Sequence, residues 1–164
     1  MRNFIRKKQE SNQQSRRGAA AVEAAFCLPF LVMVIMGTIE MGMALRVKTV
    51  LQSAVRESGR LANIDHRGLI QEGDTPNAKI ERDIRNFVTA SGFPGDKLII
   101  SLVHNDEPTQ TFDLLDEANE LDFIRIEVAM PYAEVGYMTP RWIPTPNISA
   151  RLVMRAGMGG GLSS

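Results

Sequence analysis

The hydrophobic positions fall into three regimes along the chain. From Ala19 to Leu45 the only charged residues are Glu23 and Glu40, and at about 1.5 Å per residue such a helix is long enough for a hydrocarbon core of roughly 30 Å. Past Leu45 the pattern turns amphipathic. Val47, Val50, Leu51, Ala54, Val55 and Leu61 recur at helical spacing, while Arg46, Lys48, Gln52, Arg56, Glu57 and Arg60 take the other faces. The spacing predicts one helix over about 19–62, weakened locally by Gly59 and ending in the polar run that starts at Asn63 and closes at Gly68. A second helix follows Gly73, with Thr75 as cap, Pro76 at the first position, Ile80, Ile84, Phe87 and Val88 on one face, and Gly92 as stop.

The period then changes to two. Residues 97–104, 123–130 and 148–155 read as strands, the second with Ile124, Ile126, Val128 and Met130 inward and Arg125 and Glu127 outward, the third with Ile148, Ala150, Leu152 and Met154 on one face. Residues 111–115 suggest a short edge strand. One apolar face per strand implies a sheet covered on one side, and the amphipathic half of the long helix is the available cover. The expected class is α+β, a long N-terminal helix on a small antiparallel sheet. Its segments are a basic tail over 1–18, a membrane-spanning helix over 19–45, an exported domain over 46–156 and a tail over 157–164.

Charge changes this picture at one end only. The 19 basic and 19 acidic residues cancel overall, but Arg2, Arg6, Lys7, Lys8, Arg16 and Arg17 face only Glu10 in the first eighteen positions. The remainder is net acidic, which argues against nucleic acid as a partner of the folded part. The basic excess ahead of the apolar run favours a cytoplasmic N-terminus and export of the rest. Residues 1–17, rich in Gln, Ser and Asn, are too polar to bury surface and read as a leader or flexible tail. The small residues Gly18, Ala19, Ala20 and Ala21 precede the apolar core, the reverse of a secretory signal, so cleavage there leaves the helix on the mature chain.

Arg16, Arg17, Gly18, Ala19, Ala20, Ala21, Val22 and Glu23, followed by Phe26, Leu28, Pro29 and then Gly37, Thr38, Ile39, Glu40, Met41 and Gly42, resemble the TadE-like family of minor pseudopilins of the tight-adherence pilus system. The likeness extends to about residue 62 through Val50, Leu51, Gln52, Ser53, Ala54 and Val55. It implies a pilin-like arrangement, a bacterial inner-membrane location with the C-terminal domain outside the cytoplasm, and cutting by a prepilin peptidase between Gly18 and Ala19. It also implies that Glu23, fifth in the mature chain, serves assembly with other pilins or pseudopilins, in priming or capping a fibre. The physical alternative for Glu23 is a hydrated place at headgroup depth. An uncleaved single-pass scaffold of a pilus or secretion machine is the alternative for the whole chain.

A carboxylate inside an apolar span costs several kcal/mol unless neutralised. A freed ammonium at Ala19 on a neighbouring, axially shifted helix would neutralise Glu23 and fix subunit register. Ala20 with Ala24 and Ala21 with Ala25 let backbones approach closely, Pro29 removes a backbone donor and is expected to loosen the helix, and Glu40 sits either at the outer interface or in a second intersubunit contact. Membrane lipid is the expected surroundings of this segment.

Catalytic patterns are sparse, and no enzyme activity, cofactor or metal is expected. His66 and His104 belong to no metal-ligand spacing and read as loop polarity. Asp113, Asp116, Glu117, Glu120 and Asp122 read as a solvated acidic turn, since the spacing fits no calcium loop. The lone Cys27 forms no internal disulfide and reads as a small apolar helix residue. The loop from Pro131 to Asn147 carries Tyr132, Tyr137 and Trp142, either as a partner-binding loop or, for Trp142, as cover over the end of the sheet.

Overall fold

The computed structural model describes residues 2–62, 74–119, 121–137 and 146–156, with 2–17, 61, 62 and 117 described by backbone alone. The element order is helix α1 (Arg2–Ala62), helix α2 (Pro76–Ala90), strands β1 (Ile99–His104), β2 (Phe123–Pro131) and β3 (Asn147–Arg155), with single 3-10 turns at Gly95–Lys97, Glu117–Asn119 and Tyr132–Glu134. The chain divides into two units, Met1–Met41 and Gly42–Ser164.

The first unit is helix throughout its described length. Helix begins at Arg2 rather than at Ala19, so the polar leader is not irregular. Extending an existing helix requires no new nucleus, and Gln, Glu, Lys and Arg are good helix formers. Pro29 interrupts nothing in the helical assignment of α1.

The second unit holds the core. Val47, Leu51, Ala54 and Val55 of α1, Ile80, Ile84 and Val88 of α2, Leu102 of β1 and Ile124, Ile126, Val128 and Met130 of β2 form one buried cluster. The antiparallel sheet has the order β1-β2-β3, and β2, in the middle, alternates buried and half-buried along its length. This is the expected α+β arrangement, with the amphipathic part of α1 packed on a three-stranded sheet.

α2 starts where Thr75 Oγ1 accepts from the Ala78 N–H at 3.2 Å and Pro76 needs no donor. It ends at Ser91, after which Gly92 takes φ +88°, open to glycine without a Cβ penalty. Its buried residues are Pro76, Ile80, Ile84 and Val88. Phe87, expected on that face, is 38% exposed, because a strict four-residue step from Ile84 reaches Val88 and leaves Phe87 about 100° away.

β1 begins two residues later than the pattern suggested, since Gly95–Lys97 curls into a 3-10 turn held by Arg85 Nη1, which donates to the Gly95 and Leu98 carbonyls at 2.9 and 3.1 Å. The edge strand expected over 111–115 is reduced to an isolated bridge, Val103 to Thr111. There Phe112 N donates to Leu102 O and His104 N to Gln110 O. The predicted end of α1 at 63–68, Trp142 and the 157–164 tail lie outside the described residues.

Candidate functional site

Every residue from Gly18 to Ile35 is exposed, although the run contains Val22, Phe26, Leu28, Phe30, Leu31, Val32, Met33 and Val34. Nothing among the described residues covers these groups, and water is a poor solvent for them. This is the one helix among the described residues that is long and apolar enough to cross a membrane. The predicted site residues are all carried by it. Gly18 and Ala19 are exposed, Glu23 lies one turn beyond Ala19 and is exposed, and Glu40 is half-buried.

The backbone at Gly18 and Ala19 is helical, not extended. A protease acting there has first to unwind a turn, which Gly18 eases by about 1 kcal/mol relative to alanine. A Cβ at Gly18, Gly37 or Gly42 would meet nothing within 4 Å, so no close approach among the described residues requires those glycines. Phe26 and Phe30, one turn apart, make a tilted ring contact with 5.8 Å between centroids. Thr38 Oγ1 donates to the Ile35 carbonyl at 2.7 Å, so this hydroxyl is satisfied without water. Cys27 is a free, exposed thiol.

Where α1 enters the second unit its chemistry changes. Ser58 is buried and satisfies itself, its Oγ donating to the Val55 carbonyl at 2.9 Å. Gly59, read from the sequence as a weak point, is the position of closest approach to β3: a Cβ there would collide with Leu152 Cδ2 and lie 3.0 Å from Met154 Sδ. On the outer side Arg60 Nη2 pairs with Glu57 Oε1 at 2.6 Å. That hydrogen bond holds the Glu57 carboxyl below its ordinary range and raises Arg60.

The polar groups of the domain serve structure. Asn77 of α2 clamps the segment after β1, donating to the Phe112 carbonyl at 2.5 Å and accepting from Leu114 N at 3.3 Å. His104 is no loop residue: it ends β1, stacks on the buried Phe112 ring at 4.7 Å and places Nδ1 3.4 Å from Asp122 Oδ2. Within the acidic stretch, Asp113, Asp116 and Asp122 cap locally, accepting from the backbone N–H of Leu115, Ala118 and Phe123, while Glu120 and the Glu117 side chain lie outside the described residues. Among the described residues no three His, Cys, Asp or Glu side chains are grouped to hold a metal ion. Leu121, at φ +64°, reaches left-handed backbone, and its carbonyl is fixed by Arg155 Nε at 2.5 Å. Sequence spacing carries no signal for Asn77, His104 or Arg155, whose partners are 8 to 37 residues away.

These features define a class: a single apolar N-terminal helix, of membrane-spanning length, that continues into a small α+β domain. Residues 18–60 match the TadE family, described as TadE-like protein. The matched segment is roughly a quarter of the chain, covers both halves of α1 past Gly18, and relates the chain to proteins of the Tad pilus. No curated protein and no solved structure matches it.

Proposed function

We propose that the protein is a minor pseudopilin of a tight-adherence pilus, anchored in the inner membrane by α1, cut by a prepilin peptidase between Gly18 and Ala19, and acting through assembly rather than catalysis. The observation that carries this reading is Glu23, the one acid in an exposed apolar run that begins at a small-residue junction and matches the TadE-like family. After cleavage Glu23 lies one turn from the new N-terminus of the helix, on the side of the Ala19 ammonium. Pairing it with the Ala19 ammonium of a neighbour would offset two desolvation costs together and set the axial stagger of helices. Lipid and other pilin helices are the partners that cover Val22 to Leu45, the exported domain contributes priming or capping of the fibre, and no nucleic acid is involved.

The helical backbone at Gly18 and Ala19 favours a second reading, an uncleaved single-pass scaffold of the same machine. Intact mass of the chain from native membranes separates the two. A mature chain starting at Ala19, and loss of crosslinks to other pilins in Glu23→Ala at unchanged protein level, are the expected results. A chain still starting at Met1 beside an active prepilin peptidase overturns processing and leaves the scaffold.

A further inference from the structure

The two edges of the sheet differ. Ala156 N donates to Asp122 O and Asn105 N to Phe123 O. With the β2 to β3 register, which sets Ile124 against Met154, the first bond makes the even-numbered residues of β3 the ones whose N–H and C=O groups face β2. Ser149, Arg151, Val153 and Arg155 therefore direct theirs to the other side. The second bond, with Ile124 opposite His104, gives the outer edge of β1 to its even-numbered residues, and there Leu102 O and His104 N are bonded to the segment 110–112. The outer edge of β3 has no such cover among the described residues.

Two further features mark that edge. The inward residues of β2 are fully buried, whereas Ile148, Leu152 and Met154 beside them are only half-buried, so the apolar layer is incomplete on this side. On the opposite face Arg151 and Arg155 are exposed, and neither is in an ion pair among the described residues.

We infer that the free edge of β3 is a docking edge for an extended segment of another protein that alternates apolar with acidic residues. Such a strand pairs its backbone with Ser149, Arg151 and Val153, lays its apolar side chains against Ile148, Leu152 and Met154, and sets its carboxylates beside Arg151 and Arg155. A second copy pairing β3 to β3 about its midpoint would oppose Arg151 to itself, which is unfavourable. The inference does not depend on the pilus reading or on cleavage at Gly18.

The test is amide hydrogen exchange on the full chain in lipid nanodiscs, with a short soluble peptide alternating valine and glutamate as probe and its valine–lysine counterpart as control. Before the probe is added, the amides of Ala150, Leu152 and Met154 should be protected and those of Arg151, Val153 and Arg155 should not. The glutamate peptide should then slow the odd-numbered set by about tenfold or more, while the lysine peptide should not. Val153→Pro removes one outward N–H, a change that edge strands tolerate, and should abolish this protection while leaving that of Leu152 intact. Arg151→Glu should exchange the preference between the two peptides. Three results overturn the inference: odd-numbered amides already protected in the chain alone, protection that grows with protein concentration without peptide, and equal response to both peptides.

Discussion

Within the one helix α1, Val47, Leu51, Ala54 and Val55 are at most 1% exposed, while Val22, Phe26, Leu31 and Met33 are between 55% and 74% exposed. Secondary structure is the same in both stretches; what differs is the arrangement of apolar groups around the axis. In 47–58 they form a stripe, and a stripe can be satisfied by one sheet of the same chain. In 19–39 they surround the helix, and only lipid or other helices can cover every side. The second unit is thus a folding problem solved within one chain, and the first is an assembly problem left open.

The strongest test of that difference is a pair of identical substitutions. Leu51→Ala should cost about 2–5 kcal/mol by emptying a fully buried site, a large part of what holds a small domain together, and should lower the denaturant midpoint of the domain accordingly. Leu31→Ala, at a position 55% exposed, should leave that midpoint unmoved. Equal effects would mean that the two stretches are not energetically separate.

The second test concerns Gly59. Gly59→Val should destabilise by about 1–3 kcal/mol through overpacking against Leu152 and Met154. Gly59→Ala should be nearly neutral in thermal unfolding, since half-exposed Leu152 has room to turn and alanine regains about 1 kcal/mol of helix propensity. A stabilised valine variant would show that β3 does not press on α1.

The smallest effect is expected on the solvent side of the stripe. Because Arg60 depresses the Glu57 carboxyl in the folded chain, the stability from this pair is present above the unfolded carboxylate value, near 4, and fades as pH falls through the folded one. Melting curves of the native chain and of Glu57→Gln should differ slightly at neutral pH and converge under acid. A gap that widens on acidification would contradict the pairing.

What could be read in advance follows the range of the interactions. The apolar run, the amphipathic switch at Leu45 and the alternation of β2 depend on near neighbours, so residues 19–62 and 123–130 were legible. The choice between Phe87 and Val88 was not, because both suit a broad helical stripe and only the sheet opposite decides. Gly59 looked like a flaw because Leu152, the group it makes room for, is remote in sequence. The leader was read only as too polar to bury surface, which leaves its backbone undecided, and polar residues extend an existing helix well. Glu23 stood out from composition alone, whereas the unequal edges of the sheet emerge only from which amide meets which carbonyl.

The contact of Gly59 with Leu152 and Met154 also has a meaning in time. At about 5–20 residues per second of synthesis, the strand that closes over the α1 stripe is made roughly 5 to 18 s after the stripe itself. For that interval the stripe has only α2, β1 and β2 to cover it as each is made, and Leu152 and Met154 are still missing. The newborn helix therefore already differs along its length, since Arg46, Lys48, Arg56 and Arg60 set the striped half apart from the apolar run upstream, and the side of the stripe at Gly59 is the last to be covered.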